Sequence, residues 1–137
     1  MEKHVLEAKG LATGYNSRAI IEDLDLQIPD GKISVIIGAN GCGKSTLLKS
    51  LSRLNRVMKG GILLDGRRIH DYPSKQLAKE LGLLPQSPVV PGGISVTDLV
   101  SRGRFPYRSF MKGMGKDDYR AVLEALETMG IEELADR

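Results

Sequence analysis

Gly38-Ala39-Asn40-Gly41-Cys42-Gly43-Lys44-Ser45-Thr46 is the stretch that decides the fold. It has the form G-x-x-x-x-G-K-[ST], a loop that cradles phosphates. Gly38, Gly41 and Gly43 give a backbone whose N–H groups can turn inward with no Cβ between them and an anion. Lys44 can place a point charge on the β- and γ-phosphates, and the Ser45 hydroxyl suits the shell of Mg2+. Behind the loop, Leu47, Leu48, Leu51 and Leu54 mark a helix whose positive N-terminal end faces the phosphates. Ahead of it, Ile33-Ser34-Val35-Ile36-Ile37 is a β-branched run, expected to be a buried strand that feeds the loop. Strand, glycine loop and helix are the setting this motif requires.

Bulk properties narrow the classes. The 137 residues suit one domain or part of a larger one. Twenty basic against 17 acidic residues leave +3, too mild a balance to argue for nucleic acid. No apolar run reaches the roughly eighteen residues of a transmembrane helix, and Met1-Glu2-Lys3-His4 holds no signal-peptide core. A lone cysteine, Cys42, makes no internal disulfide, which implies a reducing compartment. His4 and His70 have no partners at metal-ligand spacing.

Outward from the loop, the chain alternates short elements. Val5 to Ala8 reads as a strand, with a strand end and turn at Leu11-Ala12-Thr13-Gly14-Tyr15-Asn16. Leu24, Leu26 and Ile28 alternate with Asp25 and Gln27, the period of a half-buried strand, and Pro29-Asp30-Gly31 is a turn. These amphipathic strands predict a small antiparallel layer. After the loop's helix, Lys59-Gly60-Gly61 is expected to break the chain before an Ile62-Leu63-Leu64 strand. Asp65-Gly66 then turns it into Arg67-Arg68-Ile69 as a hairpin. A helix from Ser74 through Leu81 follows, with Ser74 as N-cap. Next come a strand at Gly82-Leu83-Leu84 ending at Gln86 and a Pro/Gly-rich loop from Ser87 to Gly93. Ser95-x-x-Asp98 opens a helix as a capping box, and Arg104 to Gly115 shows no period. In the last helix Asp117 and Asp118 suit the N-terminal dipole, Tyr119, Val122, Leu126 and Met129 share a face, and Gly130 fits the C′ position.

Taken together, these residues resemble the nucleotide-binding subunit of ATP-binding-cassette (ABC) transporters across essentially the whole chain. More narrowly, they look like the subgroup serving ferric-siderophore, ferric-citrate, haem and cobalamin importers. The stretches that carry this are the 38–46 loop with Leu47-Leu48, then Gly82-Leu83-Leu84-Pro85-Gln86, Ile94-Ser95-Val96-Thr97-Asp98-Leu99-Val100 and Gly103-Arg104-Phe105-Pro106-Tyr107. The resemblance implies an α/β P-loop NTPase core, a small antiparallel β layer and part of a helical subdomain. The boundary falls at about residue 86, with 1–86 as β layer and P-loop core and 87–137 as Q-loop and helical start. It implies ATP and Mg2+ as cofactors, contacted by Gly38, Asn40, Gly41, Cys42, Gly43, Lys44, Ser45 and Thr46. Tyr15 matches the aromatic that stacks on adenine. Gln86 matches the glutamine that touches Mg2+ and the attacking water. The implied partners are transmembrane permease subunits, a second ATP-binding subunit in a homodimer and, through the complex, a substrate-binding protein. No nucleic acid is expected, and the implied location is the cytoplasmic face of the membrane.

The sequence also departs from that family. A Leu-Ser-Gly-Gly-Gln signature, an apolar strand ending in Asp-Glu and a switch histidine are absent from these 137 residues. The expectation is an N-terminal portion that binds nucleotide weakly if at all, shows no ATP turnover and is marginally folded or self-associating. Three alternatives stand beside this reading: a non-transport ABC ATPase of DNA repair or chromosome maintenance, a P-loop kinase or GTPase, and a non-catalytic binding fragment. The first expects heptads, which the sequence lacks. The second leaves the amphipathic strands and Gln86 without a role. Arg102, Arg104, Arg108 and Lys112 around Phe105 and Tyr107 are expected to be a solvated docking loop rather than a nucleic-acid surface.

Overall fold

A computed structural model of the chain describes residues 4–109 and 111–137. The chain forms two compact units, Met1–Pro73 and Ser74–Arg137. Among the described residues, no helix is long and apolar enough to cross a membrane.

The first unit is built on an antiparallel sheet. Strand β1 (Leu6–Tyr15) pairs with β2 (Arg18–Ile28) and with β3 (Val57–Leu64), and β3 turns into the short β4 (Arg67–Arg68), giving the order β2-β1-β3-β4. The small antiparallel layer is therefore present as expected. Both hairpin turns use positive φ, at Asn16 and Ser17 between β1 and β2 and at Asp65 and Gly66 between β3 and β4, the backbone that two-residue hairpins need. Ala8, Leu11 and Ala12 of β1 and Ile62 and Leu64 of β3 are buried. They pack with Leu47 and Leu51 of helix α1 (Lys44–Leu51) and with Ile69 as the unit's core. Two buried hydroxyls tie helix to sheet. Thr13 Oγ1 and Ser50 Oγ share a hydrogen bond at 2.7 Å, and the proton left over goes to a main-chain carbonyl, that of Arg56 beside Thr13 or that of Thr46 beside Ser50.

Three sequence expectations fail here, each for a physical reason. Lys59-Gly60-Gly61 does not break the chain but lies inside β3. Gly60 takes φ +71, and a Cβ there would stand 2.2 Å from the carbonyl oxygens of Lys9 and Gly10. The glycines thus permit two backbones to close on each other at a register shift between Lys9 and Ala12. The 33–37 run is no strand: no described strand pairs with it, and Ile33, Val35 and Ile37 are 95%, 76% and 87% exposed. An apolar run becomes a core strand only through ladder partners on its edges and cover on its faces. The 82–84 segment is likewise unpaired, with Leu84 exposed.

The second unit is helical. Helix α2 (Ser74–Glu80) buries Leu77. After the irregular 81–95 segment, α3 (Val96–Ser101) starts on a reciprocal capping box: Asp98 N–H donates to Ser95 Oγ at 3.1 Å and Ser95 N–H to Asp98 Oδ2 at 3.2 Å. The stretch that lacked a period opens as a 3-10 turn over Arg102–Tyr107. Helix α4 (Lys116–Met129) ends on Gly130 at φ 63, ψ 39, the left-handed cap its sequence signals. Of its expected face only Val122 and Leu126 are buried, whereas Tyr119 and Met129 are exposed.

At the start of α4, Asp118 accepts from the Gly115 N–H at 3.0 Å and from Arg104 Nε at 2.9 Å. The Gly115 amide and then the Arg104 side chain hold this carboxyl below its ordinary 3.8. A depressed folded value contributes stability above the unfolded pKa, and that contribution is lost as pH falls from about 3.8 through the folded value. Asp118→Asn is therefore expected to lower the urea midpoint at pH 7, and the gap to the parent chain should close as pH drops below 3.8. A gap that persisted unchanged in acid would show that the carboxylate charge plays no part.

Candidate functional site

The 38–46 loop leaves the exposed 33–37 run and enters α1 without a side-chain cap, with Gly43 at φ 101 in the N-cap position. Gly41 is also left-handed, at φ 79. Consecutive amides in such a conformation form a concavity that binds anions. The two glycines keep it free of Cβ atoms. Lys44 folds back over the loop, and its Nζ donates to the Gly38 carbonyl at 2.8 Å and the Ala39 carbonyl at 2.7 Å. Its ammonium thus lies at the mouth of the loop, held by acceptors that a phosphate oxygen can replace.

The loop's other residues divide by burial. Asn40, Gly41, Cys42 and Ser45 are exposed, whereas Thr46 is buried in the first unit. Cys42 Sγ lies 3.7 Å from Lys44 Nζ, and a methyl added at Gly38 would meet that sulfur at 2.7 Å. The thiol therefore fills the space above Gly38. Ser45 is exposed on the first turn of α1, where its hydroxyl can reach a cation held by phosphates. Among the described residues no cluster of His, Cys, Asp or Glu could hold a metal ion. The Ser45 hydroxyl is a hard oxygen donor of the kind that joins a Mg2+ held chiefly by phosphate oxygens.

Tyr15 closes β1 at the hairpin opposite Arg18. Its hydroxyl lies against Asn55, Thr46 and Lys49. The neighbouring Asn55 side chain first, then that of Thr46, with the Lys49 charge as a smaller cause, holds the phenol below its ordinary 10.0. The structure thus brings Tyr15 beside the helix that carries the loop, an arrangement the sequence does not disclose because the two are about thirty residues apart. Gln86 belongs to the second unit and is exposed in the irregular 81–95 segment.

Sequence reasoning overlooked Thr13 and Ser50. Their buried pair fixes α1, and with it the loop, to β1. The only signal available was a hydroxyl on the apolar side of each element, which reads as ordinary tolerance until the partner is seen.

Comparison with known proteins agrees with this geometry. The chain is 45% identical over 132 residues to the ferric enterobactin transport ATP-binding protein FepC of Escherichia coli (strain K12), covering 96% of this chain and 49% of that protein. It is 46% identical over 132 residues to the iron(3+)-hydroxamate import ATP-binding protein FhuC of Bacillus subtilis (strain 168), again covering 96% and 49%. The chain spans about half the length of the curated relatives it matches. Among solved structures, an ATP-binding subunit of an ABC transporter superposes with a TM-score of 0.78 at 26% identity, over 96% of this chain and 53% of that one. The family model described as "ABC transporter" matches residues 21–137, a span that holds the loop, α1 and the whole second unit. The chain belongs to the ABC transporter family.

Proposed function

We propose that this chain supplies the phosphate-holding part of an ATP-binding, energy-coupling subunit of an importer for ferric siderophores or related metal chelates. The observation that carries the reading is the pair of Lys44 bonds across a loop opened by Gly41 and Gly43. In this reading Lys44 and the loop amides bind the phosphates, Ser45 meets Mg2+, and Asn40, Cys42 and Thr46 shape the loop. Tyr15 offers its ring to adenine. Gln86 reports on Mg2+ and the attacking water. Bound Mg2+ would neutralise phosphate charge as it develops. The names of the relatives support the cargo class, since they are transport proteins for ferric enterobactin and iron(3+)-hydroxamate. Permease subunits, a second ATP-binding subunit and a substrate-binding protein are the partners, met at the cytoplasmic face of the membrane.

The chain alone is expected to hold nucleotide without turning it over. The family's water-activating glutamate and signature do not occur between Met1 and Arg137, and phosphoryl transfer to water needs both positioning and a base. Disrupting the coding segment for the 38–46 loop in the producing cell is expected to abolish uptake of a radiolabelled ferric siderophore. Unchanged uptake of ferric siderophores, ferric citrate, haem and cobalamin would overturn the importer reading.

Cys42 offers a second check. Cys42 is an exposed thiol of the 38–46 loop, so a maleimide adduct adds bulk where the phosphates would approach. Alkylation is expected to abolish binding of a fluorescent ATP analogue, and Cys42→Ala to restore binding in the presence of the reagent. An alkylated chain with normal affinity would show that the thiol lies outside the phosphate path.

A further inference from the structure

The first unit holds a cationic cavity that the nucleotide reading does not use. It encloses about 310 Å3 beside β3, with Gly60 and Gly61 in its wall and Arg56, Arg68, His70 and Asp71 at its rim. All four rim residues are exposed, so a solute can reach them. Two guanidiniums against one carboxylate leave the rim net positive. Strand β4 covers only Leu63 and Leu64 of β3. From 57 to 62, β3 has no ladder partner on that side among the described residues, and such an edge presents main-chain donors and acceptors.

The arginines nearby differ in what they hold. Between residues 53 and 68 the chain carries four. Arg53 donates to the Ile69 and Tyr72 carbonyls. Arg67 donates to the Asp71 carbonyl, and its guanidinium carbon lies 4.5 Å from the centre of the Tyr72 ring. Among the described residues, the Arg56 and Arg68 side chains make no hydrogen bond and no ion pair, with Asp71 or any other. Arg68 reaches over the glycines: a methyl added at Gly61 would meet only its Cζ and Nε, both at 3.9 Å. A side chain at Gly61 would thus fit the strand but occupy the cavity. Each guanidinium is a planar fork of donors matched to a carboxylate or a phosphate. Two unengaged forks and an imidazole around a volume of small-molecule size suit a ligand with two negative charges.

We propose that Arg56, Arg68 and His70 form a site over Gly60 and Gly61 for a small dianion whose charge is carried by phosphate or carboxylate groups. The inference does not depend on what the 38–46 loop binds.

The test is a proton–nitrogen NMR titration of the full chain at constant ionic strength, with inorganic phosphate in one series and malonate in the other. Shifts are expected at the Gly60 and Gly61 amides and at the Arg56 and Arg68 side-chain N–H groups. A response there to phosphate, malonate or both supports the site and names the source. Anion binding at the loop is read separately, at Gly41 and Gly43. R68A should weaken binding about tenfold, and R56A/R68A on the order of a hundredfold. G61V keeps every charge and suits a strand, yet should abolish the shifts by filling the space. R68A keeps the test alive where G61V fails to fold, because no bond of the Arg68 side chain holds the fold together. Lys32, exposed in the same unit, is the control: K32A makes the same change in net charge as R68A and should leave the affinity unaltered. Equal losses in R68A and K32A would overturn the site in favour of diffuse charge. So would parent affinity in a folded G61V chain, silence at Gly60 and Gly61 with both anions, or a response there only to an acidic peptide.

Discussion

Lys44→Ala is expected to weaken ATP binding about ten- to a hundredfold, the range for losing a charged donor to a phosphate. The variant removes the only loop side chain that reaches the Gly38 and Ala39 carbonyls through an ammonium. Those carbonyls are exposed and can turn to water, so the fold should hold and the melting curve should hardly move. Two measurements separate the outcomes. Titration of a fluorescent ATP analogue reads the affinity, and far-UV circular dichroism reads the fold. A folded K44A chain with the parent affinity would mean that the 38–46 loop does not cradle phosphate, whatever its sequence. Loss of fold together with binding would assign Lys44 a structural role instead.

The largest loss of stability is expected from Gly60→Ala. The substitution strains a backbone at φ +71 and sets a methyl 2.2 Å from two carbonyl oxygens of β1. Left-handed backbone alone costs an alanine about 1–2 kcal/mol. The contact cannot be relieved by a rotamer, because both neighbours are main chain, so β1 and β3 must separate locally. A total above about 3 kcal/mol follows, a large share of the 5–15 kcal/mol that holds an ordinary domain together. Gly66→Ala is the internal comparison, since Gly66 has φ +78 and no atom within 4 Å of an added Cβ. It should lose only the conformational part, about 1–2 kcal/mol. Urea denaturation of both variants measures the difference. If G60A and G66A proved equally stable, the close approach of β3 to β1 would be absent in solution.

How legible the molecule is depends on the range over which each feature is decided. The 38–46 loop is written in contiguous residues whose types follow from backbone reach and charge, so its form was open to reading before any fold was known. The same holds for the Ser95–Asp98 capping box, the Asp65-Gly66 hairpin and the Gly130 cap, where donors and acceptors lie within a few residues of each other. The alternation of Leu24, Leu26 and Ile28 likewise announced the antiparallel layer, because period two needs no knowledge of the partner.

Features settled by distant partners were misread or missed. Gly60 looked like a chain break because glycine punctuates turns more often than it admits a neighbouring backbone. The 33–37 run looked like a core strand and 82–84 like a short strand because β-branched and aliphatic composition records the wish for a ladder, not its presence. Tyr15 could be named as an aromatic near the site, but its hydroxyl's place beside Asn55, Thr46 and Lys49 depends on how β1 lies across α1.

By itself, the sequence determined what the 38–46 loop is made to hold, since phosphate chemistry sets both the residue types and their spacing there. The tertiary structure alone decided how the loop is mounted, through the buried Thr13–Ser50 pair. A hydrogen bond between residues 37 apart exists only once the chain has folded back on itself, and no local pattern encodes it.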